Sequence, residues 1–322
     1  MIKISAIMAV LTVGLASPVA ATAQEYPQRP IRMIVPFAAG GGTDVLARVV
    51  AGGLAERLKQ QVVVENRGGA GSVSGTDAVA KSEPDGYTIL FTSVAYAINP
   101  GVYRKLPYKP TDLVPVAMAG SAPLVLVMHP SVPAKDLPEL LALLKANPGK
   151  YNYGSSGNGT TLHMAAEMFR SMAQVDIVHV PYRGAAPAMT DLISGSVSFV
   201  FDQVTTAAPF VDDGKLKAIG VSTKTRSSLL PNTPTMHEAG LSGYETYTWN
   251  VIAVPKGTPQ PIVDRLNAET YAVMASAQMN KRFAELGAET SKPASPAEVA
   301  AFVESETGKF RAIAKSAGVS IE

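Results

Sequence analysis

Cysteine is absent from this chain of 322 residues. Disulfide bonds, a catalytic thiolate and thiolate ligation of a metal are therefore excluded, and so is a lipid anchor on an N-terminal cysteine. Histidine is scarce, and the four histidines, His129, His163, His179 and His237, do not have the spacing of metal-binding motifs. We therefore expect no metal site and no cofactor. The role of His163 stays open, because it falls in the first turn of a predicted helix.

An excess of charge of either sign is absent as well. The chain has 28 lysines and arginines against 26 aspartates and glutamates, which leaves a net charge of +2. This balance argues against nucleic acid, or an anionic membrane surface, as a partner.

Long apolar segments are few, and the one at the N-terminus is short. Residues 4–15 are mostly apolar, follow Lys3, and precede the small residues Ala21, Thr22 and Ala23. This order is typical of a secretory signal peptide. The apolar stretch is too short to span a bilayer comfortably, and no later segment is long and apolar enough to do so. We expect cleavage after Ala23 and secretion of residues 24–322 without a membrane anchor.

Strand and helix patterns alternate along the rest of the chain. Short apolar runs predict strands at 31–35, 62–65, 87–92, 114–118, 124–129, 151–154, 177–181, 197–201, 216–222 and 247–254. Apolar residues at helical spacing predict helices at 44–59, 75–82, 136–146, 161–173, 185–194, 204–213, 259–275, 277–286 and 296–316. Such alternation predicts an α/β fold with a mostly parallel sheet flanked by helices on both faces.

The length of the chain and its 47% hydrophobic residues allow more than one core. No low-complexity linker is present, but two extended apolar segments, 122–129 and 247–255, could cross between two lobes. We predict a first lobe of residues 24–122 and 251–322 and a second lobe of residues 123–250. The strand carboxyl ends of both lobes would then face a common ligand cleft.

A glycine-rich turn follows the first predicted strand. We call residues 36–44, which read Pro-Phe-Ala-Ala-Gly-Gly-Gly-Thr-Asp, the first glycine turn. Glycines let an anion approach the unpaired amides of a helix start, where the helix dipole adds positive charge. A dinucleotide fits poorly, because Val45 stands where the fingerprint needs a small residue and Asp44 would repel a pyrophosphate. A purely structural turn stays an alternative for this segment alone.

The same arrangement recurs in the second half of the chain. Residues 155–160, which read Ser-Ser-Gly-Asn-Gly-Thr, follow a predicted strand and precede a predicted helix that Thr160 or Thr161 could cap. We call this segment the second glycine turn. The two turns would form a carboxylate clamp if the fold brings them face to face. Neither turn is a G-x-S-x-G elbow, so Ser155 and Ser156 are poor candidates for a nucleophile.

Motifs along the whole mature chain resemble one family. They are Tyr26-Pro27-x-Arg29-Pro30-Ile31, Val35-Pro36-Phe37-x-x-Gly40-Gly41-x-x-Asp44, Glu65-Asn66-Arg67-x-Gly69-Ala70-Gly71, Pro84-Asp85-Gly86-Tyr87-Thr88, Val180-Pro181-Tyr182-Arg183-Gly184, Pro231-x-x-Pro234-Thr235, Glu238-x-Gly240 and Pro255-x-Gly257-Thr258-Pro259. In this order they resemble the Bug (TctC-type) periplasmic solute-binding proteins of tripartite tricarboxylate transporters.

The resemblance implies a two-lobed type II periplasmic binding protein, not an enzyme, that closes on a small carboxylate. The implied partners are the membrane permease subunits of such a transporter, and the implied state is a monomer. The residues that match the family's ligand-binding positions are Phe37, Ala39, Gly40, Gly41, Thr43 and Asp44 in the first lobe and Ser155, Ser156, Gly157, Gly159, Thr160 and Asp202 in the second. The residue patterns alone, without the resemblance, also indicate that the two glycine turns bind a ligand. They support a binding role for Asp202 less well.

Some roles and one alternative use stay open at this stage. Arg183 could pair with a second ligand carboxylate or be a solvated charge, and Trp249 could stack on a ligand or anchor a strand. Asn250 and Val251 follow Trp249 where a small residue is frequent in the family, so ligand identity is not carried over. The same pocket could present its ligand to a sensor kinase. A secreted hydrolase would need a nucleophile and base that no motif here supplies.

Overall fold

A computed structural model describes residues 26–321 of the protein, and the predicted signal peptide lies outside them. The strands are β1 (Ile31–Val35), β2 (Val62–Asn66), β3 (Thr88–Ser93), β4 (Leu113–Met128), β5 (Asn152–Ser155), β6 (Val178–Pro181), β7 (Phe199–Gln203), β8 (Lys217–Val221), β9 (Tyr247–Pro255) and β10 (Glu289–Thr290). The helices are α1 (Gly42–Leu58), α2 (Val73–Ala80), α3 (Ala95–Val102), α4 (Leu137–Ala146), α5 (Thr161–Ala173), α6 (Ala185–Ile193), α7 (Val204–Asp212), α8 (Gln260–Met274), α9 (Ala277–Glu285) and α10 (Pro296–Ala317).

The strands form a mixed sheet in the order β2-β1-β3-β9-β4-β7-β5-β6, with β8 and β10 also paired to β4. β1 is parallel to β2 and β3, and β5 is parallel to β6 and β7. β4 and β9 run antiparallel to their neighbours in the middle of the order. The predicted α/β architecture, a sheet flanked by helices, is confirmed.

β4 connects the two parts of this sheet. It is one strand of 16 residues where the sequence predicted two shorter ones. Residues 113–123 pair with β9, whereas residues 124–128 pair with β7 and β8. The residues between the predicted strands, Gly120 to Pro123, remain in register with β9. A local pattern of small residues and proline therefore hides a strand that the pairing with β9 holds extended.

Four apolar cores cover the faces of the sheet. Two of them contain residues of β1, β3 and β9, and the other two contain residues of β7, with Tyr153 of β5 in one of these. On either side of the point where β4 changes partners, Ala122 belongs to the first pair of cores and Leu124 to the second. Tyr244 and Trp249 mark the same change near the start of β9. Within residues 26–321, no helix is long and apolar enough to cross a membrane.

Candidate functional site

The two glycine turns meet at a small cavity, which we call the central cavity. Each turn follows the carboxyl end of a parallel strand, β1 for the first and β5 for the second. The central cavity has a volume of about 20 Å³. Its lining residues are Phe37, Gly41, Gly42, Thr43, Asp44, Ser93, Ser156, Thr161, Leu162, Ala185, Gln203 and Thr248. None of these described residues is cationic.

The N-termini of two helices place partial positive charge at the wall of this cavity. α1 begins at Gly42 after Gly41, and α5 begins at Thr161 after Thr160. The first amides of a helix have no intrahelical partner, and the macrodipole places partial positive charge at them. The cavity therefore favours an anionic group although no lysine or arginine lines it.

Three buried side-chain oxygens on the wall lack a hydrogen-bond partner within the described chain. They are Thr161 Oγ1, Gln203 Oε1 and Thr248 Oγ1. The amide group of Gln203 donates to Thr43 Oγ1 at 3.3 Å, across the two parts of the sheet. Because buried polar groups in proteins are nearly always hydrogen-bonded, these oxygens indicate a place for a polar ligand group or for water.

Asp44 fixes the first glycine turn. Its carboxylate accepts hydrogen bonds from the Gly40 amide and from Asn66 Nδ2, each at 2.9 Å, and from Arg48 Nε at 3.1 Å. Burial acts to raise the pKa of Asp44, but the hydrogen bonds from Arg48, Gly40 and Asn66 together lower it below its usual value. The carboxylate is thus ionised at neutral pH, and Arg48 offsets its charge next to the cavity.

The Ser155 side chain stabilises the second glycine turn through a hydrogen bond with its backbone. It is fully buried, accepts from the Gly157 amide at 3.1 Å, and lies 2.6 Å from His179 Nε2. This serine–histidine pair does not line the central cavity. Ser155 and His179 are also absent from the wall of the cavity that contains Asp202, so in this structure their contacts support the backbone of the turn.

Two stacked histidines lie under the same turn. His163 and His179 stack at 4.2 Å between ring centroids, and His163 Nδ1 accepts from the Gly159 amide at 3.2 Å. Burial lowers the pKa of His163 to about 4 and that of His179 to about 3. Both rings are therefore neutral at pH 7, as the hydrogen bond accepted by His163 requires. In this structure His163 packs beneath the second glycine turn and accepts a hydrogen bond from it.

Asp202 lies on the wall of a second cavity, beside Gly40 and Gly41. It is completely buried, accepts from Thr206 Oγ1 at 2.8 Å through Oδ2, and has no partner for Oδ1 among the described residues. Burial raises the pKa of Asp202 to about 6, although hydrogen bonds from the Thr206 hydroxyl and the backbone N–H of Gln203 act to lower it. The surroundings of Asp202 therefore raise its pKa, whereas those of Asp44 lower it.

The predicted site residues divide into three groups. Those on the wall of the central cavity are Phe37, Gly41, Thr43, Asp44 and Ser156. Those on the wall of the second cavity are Gly40, Gly41 and Asp202. Those in the turns but on neither wall are the exposed Ala39 and the residues Ser155, Gly157, Gly159 and Thr160. Gln203 and Thr248, which sequence reasoning missed, come from the end of β7 and the start of β9.

Arg183 and Trp249 line neither cavity. The Arg183 side chain is exposed, and its backbone carbonyl accepts from the Ala38 amide at 3.2 Å. Trp249 is buried against α10, where its indole donates to Glu306 Oε2 at 3.0 Å. The anchor role considered for Trp249 agrees with these contacts.

Hydrogen bonds beside the glycine turns join the two sides of the central cavity. The Ala38 amide reaches the Arg183 carbonyl, and the Tyr103 hydroxyl lies 2.8 Å from Ala70 O and 3.1 Å from Asn158 O. Ala70 belongs to the first part of the sheet and Asn158 to the second glycine turn. The two sides of the cavity are therefore in direct contact in this structure.

Known proteins resemble the chain over nearly its whole length. The family model described as the tripartite tricarboxylate transporter family receptor, TctC, matches residues 46–319. Protein BugT from Bordetella pertussis (strain Tohama I) is 37% identical over 316 residues, which cover 97% of this chain and 96% of BugT. The solved structure of the periplasmic binding protein BugD has a TM-score of 0.89 and 36% identity, and it covers 92% of this chain and 100% of that one.

A second solved structure, R. palustris Rpa4515 with adipate, has a TM-score of 0.88 and 35% identity over 92% of this chain and 99% of that one. Family model, relatives and structures all agree with the resemblance that the sequence motifs indicated. The chain therefore belongs to the tripartite tricarboxylate transporter receptor (TctC) family, as a solute-binding protein and not an enzyme.

Proposed function

We propose that this protein captures a small carboxylate in the periplasm and delivers it to the permease subunits of a tripartite tricarboxylate transporter. The observation that carries the proposal is the central cavity, where two helix starts and the unpartnered hydroxyls of Thr161 and Thr248, which can donate to a carboxylate, converge on a wall without a cationic side chain. The related Rpa4515, solved with adipate, supports a carboxylate as the ligand.

In this proposal the amides that begin α1 and α5 hold the carboxylate, with help from hydroxyls and ordered water. The ligand-binding set is Phe37, Ala39, Gly40, Gly41, Thr43, Asp44, Ser155, Ser156, Gly157, Gly159, Thr160 and Asp202, to which the cavity wall adds Thr161, Gln203 and Thr248. Among these, Asp44 and Ser155 act by fixing the turns.

The first proposed lobe consists of residues 24–122 and 251–322, and the second of residues 123–250. The two lobes close on the ligand, and the protein acts as a monomer. The change of apolar core between Ala122 and Leu124 supports this division. The signal peptide directs export to the periplasm and is cleaved after Ala23. Each of these parts can be measured, by limited proteolysis, by the mass of the protein in solution and by N-terminal sequencing of the exported protein.

A thermal-shift screen tests the binding proposal. The protein is first unfolded and refolded to remove any co-purified ligand, and is then heated with mono-, di- and tricarboxylates, acidic amino acids and aromatic carboxylates. A ligand at about one hundred times its Kd adds about 2.7 kcal/mol of apparent stability. No shift with any carboxylate contradicts the proposal. Uptake of a labelled hit by cells with and without the gene for this chain tests delivery.

A further inference from the structure

The central cavity is too small for a whole organic ligand. About 20 Å³ is room for little more than one water-sized polar group. The remainder of any carboxylate held between the glycine turns must therefore lie in a neighbouring space.

A larger cavity adjoins the central one. It is the second cavity, whose wall includes Asp202, and we call it the side cavity from here on. Its volume is about 180 Å³, and Gly41 belongs to the walls of both cavities. An apolar cavity of about 150 Å³ in another protein holds benzene, so this space is sufficient for about six carbons. It lies between the first glycine turn, α6 and α7, and its apolar wall is formed by Ala186, Met189, Ile193 and Phe210.

One buried carboxylate dominates the polar chemistry of the side cavity. Asp202 has an oxygen without a partner, whereas the hydroxyls of Thr190 and Thr206 already donate to Ala186 O and to Asp202 Oδ2. Among the described residues on this wall none is cationic. Lys215 Nζ lies 5.9 Å from the centroid of the Phe210 ring and pairs with Asp213. A second ligand carboxylate would thus face a like charge with no cation to offset it.

We propose that the side cavity is a second subsite, which takes an apolar chain of about six carbons that ends in a hydrogen-bond donor. This inference rests on the proposed function, because the ligand's carboxylate must be held between the glycine turns for its chain to pass Gly41. A terminal hydroxyl, amide or ammonium group donates to Asp202 Oδ1. A terminal methyl group leaves that oxygen unpaired, and a terminal carboxylate is repelled.

Titration calorimetry with four ligands of six carbons each tests the subsite. The ligands are hexanoate, 6-hydroxyhexanoate, 6-aminohexanoate and adipate, and the proteins are the wild type, Asp202→Asn and Ala186→Leu. The matched control is Ala55→Leu, at a half-buried alanine of α1 in a groove beside β2. Thermal unfolding without ligand verifies that each variant folds.

We expect the wild type to bind the hydroxyl and ammonium compounds about tenfold more tightly than hexanoate or adipate. Asp202→Asn should reduce this preference about tenfold, and Ala186→Leu should weaken all four ligands by about tenfold, because it fills the side cavity. Ala55→Leu should leave every Kd within about twofold.

Two results separate the failure of this inference from the failure of the proposed function. Wild-type protein that binds adipate or hexanoate as tightly as 6-hydroxyhexanoate overturns the subsite while the carboxylate clamp stands. Affinities unchanged by Ala186→Leu have the same meaning. If no carboxylate of any length binds the wild type, the proposed function itself fails. The wild-type series decides the question even if Asp202→Asn does not fold.

Discussion

At Gly42 a β-carbon would collide with the Gln203 side chain, whose own Cβ would be 3.0 Å away. The two residues face each other across the central cavity, so a methyl group there obstructs the contact between the two sides. We expect Gly42→Ala to weaken carboxylate binding at least about tenfold in calorimetry. The ligand-free protein should still fold, because alanine suits the first turn of a helix, and its loss of stability should be limited to what a shift of the Gln203 side chain costs.

Gly52→Ala, in the same helix, is the control for this variant. A β-carbon at Gly52 meets no atom within 4 Å, and the residue lies far along α1 from the cavity. The substitution should raise the free energy of unfolding by about 0.5–1 kcal/mol and leave the Kd unchanged. Equal affinities for Gly42→Ala and Gly52→Ala would mean that contact at Gln203 plays no part in binding.

Asp202 should make the ligand-free protein more stable in mild acid. Its pKa is about 6 in the folded state against 3.8 for the free group, so the native state binds more protons between these values. Stability therefore falls as the pH rises through this window. Asparagine does not titrate, so Asp202→Asn should be more stable than the wild type at pH 7. We expect its free energy of unfolding to be higher by up to about 3 kcal/mol.

The advantage of Asp202→Asn should shrink as the pH falls towards 4. Urea titrations of both proteins at several pH values, in the absence of ligand, measure this difference. A variant that is less stable than the wild type at pH 7 would show that the ionised carboxylate stabilises the fold, contrary to the effect of burial.

Among the helices, α5 begins with a cap that belongs to the second glycine turn. Thr160 Oγ1 donates to Gly157 O at 2.7 Å and accepts from His163 N at 3.4 Å. Thr160→Ala removes both bonds, so we expect a loss of about 1 kcal/mol in the free energy of unfolding. Since the amides of the turn would also lose their fixed direction, the Kd for a carboxylate should rise several-fold.

Ser295 caps α10 in the same way and is remote from the cavity. Its hydroxyl accepts from the Glu298 amide at 3.3 Å within a capping box. Ser295→Ala should lower stability as much as Thr160→Ala does, but calorimetry should give the wild-type Kd. If both variants change the Kd alike, the effect at Thr160 is one of general stability.

Elements with strong local signals were predictable from the sequence, and elements held by distant partners were not. The predicted bounds of β1 and α5 agree with the structure residue by residue. α3 was missed, because Asn99, Pro100 and Gly101 are typical of a turn, yet Pro100 lies inside the helix. The short strand β10 exists only through its pairing with β4. Neither has a local pattern that could reveal it.

The candidate site follows the same rule. The two glycine turns were predictable because glycine next to a helix start has a local meaning. Gln203 and Thr248 were not, since each is an ordinary strand-end residue until β7 and β9 bring it to the cavity. The burial of Asp202 likewise depends on α6 and α7, so its raised pKa has no signal in the sequence.

On the scale of the whole molecule, Tyr103 joins the two sides of the cleft. Its single hydroxyl hydrogen is shared between Ala70 O at 2.8 Å, on the same side of the cavity, and Asn158 O of the second glycine turn at 3.1 Å, and only the bond to Asn158 crosses the cavity. A bond that forms only when the sides meet stabilises the closed state relative to the open one. Tyr103→Phe should therefore raise the dissociation rate of a carboxylate about fivefold, which corresponds to ~1 kcal/mol, while association changes little.

Closure itself is measurable, because a ligand held by both glycine turns can enter only when they are apart. For the wild type, a tight carboxylate should reduce the radius of gyration in solution scattering, and Tyr103→Phe should need more ligand for the same reduction. Tyr87→Phe is the control, since the Tyr87 hydroxyl accepts from the Gln28 amide away from the cavity. It should match the wild type in rate and in scattering. A tight ligand that leaves the scattering of the wild type unchanged would mean that the lobes are rigid, and Tyr103 would then affect dissociation without any closing motion.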